Sequence, residues 1–64
     1  MIIELFDKIK LKNGKMAHIV EIYEQGVAYE ADIENGDNEY ITDTIKQSDI
    51  LYVLPEKTAE LTAV

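Results

Sequence analysis

The sequence predicts an all-β fold, a small five-stranded barrel with a 3₁₀ turn before its last strand. Apolar and polar residues alternate with a period of two through much of the chain, as they do in half-buried strands. Turn-forming residues surround each of the three glycines and separate these alternating stretches. The 64 residues suffice for one domain, which we place at residues 1–54, followed by a tail at residues 55–64.

The first two strands are predicted on either side of the turn dipeptide Asn13-Gly14, whose residues both tolerate positive φ. Residues 2–6 are an apolar lead-in, which fits either an edge strand or a lid over one end of the core. Residues 7–12 alternate between aliphatic residues on one face and lysines on the other. Residues 15–24 carry apolar side chains on both faces, which indicates a strand that bends, serves two sides of a core or contains a bulge.

The third strand has the cleanest alternation of the chain and follows the turn Gln25-Gly26, at residues 27–34. Its apolar face is predicted to point into the core, with Tyr29 near its centre. Its other face carries the acids Glu30, Asp32 and Glu34 at every second residue. This strand therefore predicts one buried side and one acidic side.

The last part of the chain predicts two further strands joined by a short 3₁₀ turn. Residues 35–38 are all turn formers, and residues 39–45 are rich in β-branched side chains. The 3₁₀ turn is placed at residues 46–49. Residues 50–54 form the fifth strand, which we expect to stop at Pro55 because proline has no N–H to donate. The tail beyond it is expected to be frayed or docked on a neighbouring element.

The chain is acidic, with 13 Asp and Glu residues against six lysines, no arginine and a net charge of −7. The charge is unevenly distributed, because residues 1–20 carry a net +2 and residues 21–64 a net −9. Proteins that bind nucleic acids contact phosphates with Lys and Arg, so direct nucleic-acid binding is not expected. An acidic surface instead fits solubility, a protein partner with a basic surface, or imitation of the charge of a nucleic acid.

The sequence contains no cysteine, which excludes a disulfide framework and a thiolate metal site. The lack of cysteine fits a reducing compartment. The first residues lack the basic stretch and apolar run of a signal peptide, and no segment approaches the ~20 apolar residues of a membrane span. We therefore expect a cytoplasmic protein without membrane contact.

Parts of the chain resemble known families. The predicted strand order, with its 3₁₀ turn before the fifth strand, resembles an SH3-like barrel. Residues 14–19 (Gly-Lys-Met-Ala-His-Ile) look like a KOW-type turn, with Ala17 where that motif usually has a second glycine. Residues 14–34 and 44–50 are similar to a family of very small bacterial proteins of unknown function with an SH3-like barrel. The resemblance covers residues 5–54; it implies the fold and brings no activity or functional residues.

No group of residues predicts catalysis, a bound metal or another cofactor. His18 is the only histidine and has no Ser or Cys nucleophile in a recognisable arrangement, which favours a structural role on a strand face. Residues 32–39 gather oxygen-bearing side chains, but their spacing does not match an EF-hand and favours a polar hairpin loop. Glu30 and Asp32 are a pair of carboxylates, but 64 residues can hardly build the sugar cleft that glycosidase chemistry needs. We expect a protein that is not an enzyme.

The tyrosines leave two interpretations open. Tyr29 is expected in the core, whereas Tyr23 and Tyr40 fit either a core or an exposed surface that grips a partner. Together with the acidity of the chain, the second interpretation leads to the hypothesis of a protein-binding module with an acidic, tyrosine-containing face. Its predicted residues are Glu21, Tyr23, Glu24, Glu30, Asp32, Glu34, Glu39, Tyr40 and Asp43.

Two other functions and a dimer are kept as alternatives. The acids would imitate phosphates in an inhibitor or antitoxin-type protein that blocks a basic groove. A KOW-like RNA-associated module rests on the turn motif and on the lysines near it. The apolar lead-in, together with Leu61 and Val64 of the tail, supplies candidates for the seam of a homodimer.

Overall fold

The computed structural model describes residues 1–57 and contains five strands joined in one sheet. The strands are β1 (Asp7–Leu11), β2 (Met16–Glu24), β3 (Ala28–Glu34), β4 (Tyr40–Lys46) and β5 (Ile50–Lys57). A 3₁₀ turn, η1 (Gln47–Asp49), connects β4 to β5. The predicted all-β fold with a 3₁₀ turn before the last strand is therefore confirmed. No helix long and apolar enough to cross a membrane occurs in this part of the chain.

The sheet has the strand order β4-β3-β2-β1-β5, and every neighbouring pair is antiparallel. β4 and β5 are therefore its two edges, and within residues 1–57 no ladder joins them. The structure departs from a closed barrel at this seam. η1 crosses the seam instead, where the N–H of Gln47 donates to the carbonyl of Val27 and the N–H of Lys12 donates to the carbonyl of Asp49.

The core lies on the inner face of the sheet and receives residues from all five strands. Its buried apolar residues are Ile3, Ile9, Leu11, Ala17, Ile19, Tyr29, Ala31, Ile45 and Ile50. Tyr29 is completely buried, as its alternation predicts. Complete burial of a side chain of this size contributes about 1.5–3 kcal/mol, so these residues dominate the stability of so small a fold.

A bulge in β2 explains why this strand has apolar side chains on both faces. Ile19 points into the core and lies opposite Ala31. Glu21 lies opposite Glu30, so two steps along β2 match one step along β3. Beyond this bulge the inward position falls on an even-numbered residue, Ile22, which lies opposite Tyr29 and packs against the core. Of the three interpretations of this strand (a bend, a strand that serves two sides of a core, or a bulge), the bulge agrees with the structure.

The segment before β1 folds over one end of the core. Ile3 is buried, and the side chain of Gln25 holds its backbone. The N–H of Ile3 donates to Gln25 Oε1, and Gln25 Nε2 donates to the carbonyl of Ile3, both at 2.8 Å. The N–H of Glu4 donates to the Asp7 carboxylate at 2.8 Å, which fixes the turn into β1. The edge-strand interpretation of this segment is wrong, and the lid interpretation agrees with the structure.

β5 continues past Pro55, so the expectation that this proline ends the strand is wrong. Val53 and Lys57 pair with residues of β1 that are only two positions apart, and Pro55 lies in the irregular stretch between them. Because β5 is an edge strand with a bulge at this point, the missing N–H of proline interrupts no regular ladder. Residues 58–64 of the predicted tail lie outside the described residues.

Candidate protein-binding face

The outer face of β2 and β3 gathers acidic side chains from both strands. On β3, Glu30, Asp32 and Glu34 alternate with core residues, as predicted. On β2, the bulge places Glu21 directly opposite Glu30. The tyrosines of this surface come from the end of β2 and the start of β4. We call Glu21, Tyr23, Glu30, Asp32, Glu34 and Tyr40 together the acidic face.

Glu21 and Glu30 are two acids of this face that lie directly opposite each other on neighbouring strands. Directly opposite residues on antiparallel strands have Cβ atoms about 4.5–5.5 Å apart, and like charges in such positions are destabilising. Regular pairing continued from Ile19 would instead have placed Val20 opposite Glu30. The bulge therefore concentrates negative charge where a regular strand would have placed an apolar side chain.

Tyr23 forms a hydrogen bond with one of these two acids. Its hydroxyl donates to Glu30 Oε1 at 2.5 Å. This hydrogen bond is the largest cause of a Tyr23 pKa above its ordinary value of 10.0, and burial and the negative charges of Glu30 and Glu21 add to it. A hydrogen bond with Thr44 acts in the opposite direction. The ring is 50% exposed, so it offers apolar surface beside the carboxylates.

Asp32 lies at the centre of the face. Its carboxylate accepts a hydrogen bond from the hydroxyl of Thr42 on β4, and it lies opposite His18 on β2. The ring centroids of His18 and Tyr40 are 6.1 Å apart, with the rings tilted by 50°. Because His18 belongs to β2 and Tyr40 to β4, the two rings approach each other across β3. The centre of the face thus combines a carboxylate with aromatic surface.

Two of the predicted residues do not belong to this surface, and a third lies at its end. Glu24, the last residue of β2, lies opposite Ala28, which shares the outer side of β3 with Glu30. Glu39 lies in the loop before β4. Asp43 lies opposite the buried Ala31, so it projects from the inner side of β4. The structure therefore brings seven of the nine predicted residues to one surface, six in the acidic face and Glu24 at its end.

Sequence reasoning did not include His18, Thr42 or Thr44 among the residues of the face. The two threonines share the parity of Tyr40, so the period-two pattern of β4 alone could have placed them there. The sequence favours a structural role for His18, and its place opposite Asp32 follows only from the register of β2 with β3. The register of β1 places Lys8 opposite His18 and Lys10 opposite Met16, which makes a basic margin beside the acidic face.

Among the side chains that the structure describes, no three of His, Asp or Glu are grouped so that they could hold a metal ion. The face consists of carboxylates, hydroxyl groups and aromatic rings, which suits the binding of cations and of cationic side chains. No family model, curated protein or solved structure matches the chain. The function of the chain is therefore inferred from the geometry of the face.

Proposed function

We propose that this chain is a non-enzymatic protein-binding module whose partner presents a basic surface to the acidic face. The pairing of Glu21 with Glu30 carries the proposal. Like charges held directly opposite each other cost about 0.2–1 kcal/mol of stability, and sites that break a local folding rule tend to be functional. A cationic group of a partner relieves this repulsion when it binds.

The tyrosines support the choice of a protein as the partner. Tyr23 and Tyr40 are 50% and 53% exposed, and they flank the row of acids. Tyrosine and arginine are enriched at the energetic centres of protein interfaces. A guanidinium can pair with a carboxylate and stack on an aromatic ring at the same time, which makes arginine the side chain that this face fits best.

Charge reversal of β3 tests the proposal. We expect the triple variant Glu30→Lys, Asp32→Lys and Glu34→Lys to lose the protein that the wild-type chain captures from a cell extract. Quantitative mass spectrometry of the captured proteins measures the loss. Capture by the wild-type chain should also weaken as salt is raised, because the contact is between opposite charges.

A matched variant separates the face from the net charge of the chain. Glu4→Lys, Asp37→Lys and Glu39→Lys change the net charge by the same amount but lie outside the acidic face. We expect this control variant to capture the same partner as the wild-type chain. Equal loss from both triple variants, with circular dichroism showing that both are folded, would contradict the assignment of the face.

The regular spacing of the β3 acids favours a second candidate function, inhibition by imitation of a nucleic acid. Glu30, Asp32 and Glu34 project from one face at intervals of about 7 Å, twice the rise of a strand residue. If the chain is such an inhibitor, it should displace DNA or RNA that is bound to the captured partner in a competition assay. A partner that keeps its nucleic acid would contradict this function. Retention of RNA by the chain itself at low salt would instead favour a KOW-like RNA-associated module.

A further inference from the structure

β4 is an edge strand whose second side is unpaired among the described residues. It pairs with β3 in an uninterrupted register from Tyr40 to Lys46, and all of its side chains except that of Ile45 are exposed. Regular, exposed edges of this kind are templates for an added strand. The other edge of the sheet, β5, contains Pro55 and irregular pairing, which are features that protect an edge.

Two backbone amides on the free side of β4 are already occupied by carboxylates of this chain. The N–H of Thr44 donates to Asp43 at 2.8 Å, and the N–H of Lys46 donates to Asp49 at 2.9 Å. Because the amides of every second strand residue point to the same side, the N–H of Thr42 faces the same free side. The open part of the edge is therefore the first half of β4.

A groove of about 500 Å³ lies beside this edge, at the seam where the sheet is not closed. Leu11, Ile33 and Ile45 give it an apolar lining, and Asp43 and Asp49 contribute carboxylates. Ile41, which is 49% exposed, lies opposite Ile33 on the same inner side of the sheet. An apolar side chain on the inner side of an added strand would therefore cover Ile41 and enter the groove.

The outer side of an added strand would meet the acidic face. Two strand spacings, about 10 Å, separate such a strand from β3. The short side chains of Thr42 and Thr44 lie between them and leave room for a lysine or arginine to reach the acids of β3. A second copy of this chain is a poor occupant, because each copy carries a net charge of −7.

We propose that an extended segment, in which apolar residues alternate with Lys or Arg, adds as a sixth strand to β4 at residues 40–42. Its apolar side chains face Ile41 and the groove, and its basic side chains face the acids of β3. The inference rests on the proposed protein-binding function and names the form that the partner takes there. Backbone hydrogen bonds supply affinity in this mode of recognition, and alternate side chains supply specificity.

A synthetic heptapeptide of alternating valine and lysine tests this inference. We expect it to bind the full chain, with NMR shifts concentrated on β4 and on residues that line the groove, and with slower amide exchange at Thr42. A second peptide has the same sequence but carries methyl groups on the backbone nitrogens along one edge of the strand. This peptide should bind at least tenfold more weakly when the methylated edge is the one that faces β4. A peptide with glutamate in place of lysine should not bind.

The variant Thr42→Pro removes the free amide and should weaken the valine–lysine peptide at least tenfold. The N-methylated peptide gives the same test on the unaltered protein, so the result does not depend on how the proline variant folds. Equal binding of the methylated and unmethylated peptides, with shifts confined to the acidic face, would overturn strand addition and leave the proposed function in place. No binding of the valine–lysine peptide would also overturn it, whereas the proposed function is decided separately by the charge-reversal variants.

Discussion

Hydrogen bonds between neighbouring strands fix the side chains of the acidic face. The Tyr23 hydroxyl donates to Glu30, and the Thr42 hydroxyl donates to Asp32. Charge-assisted bonds of this kind are stronger than neutral ones, so they offset part of the repulsion among the acids. The carboxylates are thereby held in place before a partner arrives, which lowers the entropic cost of binding.

The link between Tyr23 and Glu30 predicts a change in titration. Because the Glu30 carboxylate stabilises the protonated phenol, Glu30→Gln should lower the Tyr23 pKa toward 10.0. Ultraviolet absorbance of the tyrosinate, compared with a Tyr23→Phe variant, isolates this group. The raised pKa also means that the Tyr23 contribution to stability is present below pH 10 and is lost as pH rises through the folded-state pKa. An unchanged Tyr23 titration in Glu30→Gln would contradict this assignment.

The pairing of like charges predicts a stabilising substitution. Glu21→Lys should raise the free energy of unfolding by about 0.5–1 kcal/mol, because it replaces a repulsive cross-strand pair with an attractive one. Urea unfolding measures the change. Glu24→Lys changes the net charge by the same amount, but Glu24 lies opposite Ala28, so the free energy of unfolding should rise by less. The prediction is wrong if both variants raise the free energy of unfolding by the same amount.

At the scale of elements, tight turns and bulges set the pairing of the strands. In the β1–β2 turn, Gly14 has φ +92°, and the N–H of Lys15 donates to Asn13 Oδ1 at 2.9 Å. This turn fixes the register of β1 with β2. The bulge in β2 then decides which residues of that strand share a face with the β3 acids.

Substitution of Gly14 in this turn should cost folding stability through the backbone alone. A Cβ added at Gly14 would meet no atom within 4 Å, so Gly14→Ala introduces no clash. The positive φ nevertheless disfavours an L-residue, and we expect a loss of about 1–2 kcal/mol in the free energy of unfolding. Gly14→Asn should lose less, because asparagine tolerates this region better. Thermal unfolding of both variants measures the difference, and equal stability of Gly14→Ala and wild type would refute the argument.

At the scale of the whole molecule, the excess of negative charge opposes the compact fold. The chain carries −7, and its described part, residues 1–57, extends 32 Å along its longest axis. At 0.01 M salt the Debye length is about 30 Å, so acids at opposite ends of the molecule still repel each other. At 0.15 M it falls to about 8 Å, and only neighbouring acids interact.

Added salt should therefore stabilise the protein. The melting temperature should rise when NaCl is increased from 0.01 M to 0.15 M, because screening weakens repulsion that is greatest in the folded state. The charge-reversed triple variant of β3 should show a smaller rise. Differential scanning calorimetry measures both. A melting temperature that falls with salt would show that attractive ion pairs outweigh the repulsion.

The sequence predicted the strands well where one face is buried and the other is solvated. β3 shows this best, because Tyr29 and Ala31 are buried while Glu30 and Asp32 lie on the outer face. β2 was harder to interpret, since its pattern fitted three different structures and only the pairing with β3 identified the bulge. The end of β5 was missed because the rule that proline stops a strand weakens at an edge.

The sequence by itself determined that this protein is all-β, where its turns lie, and that β3 has an acidic side. These are consequences of local alternation and of backbone preferences at glycine and asparagine. The tertiary structure alone decided that Glu21 faces Glu30, that Asp43 lies on the inner side, and that the seam between β4 and β5 stays open. The physical reason is that strand register and edge pairing depend on contacts between residues far apart in the chain, which a period-two pattern does not encode.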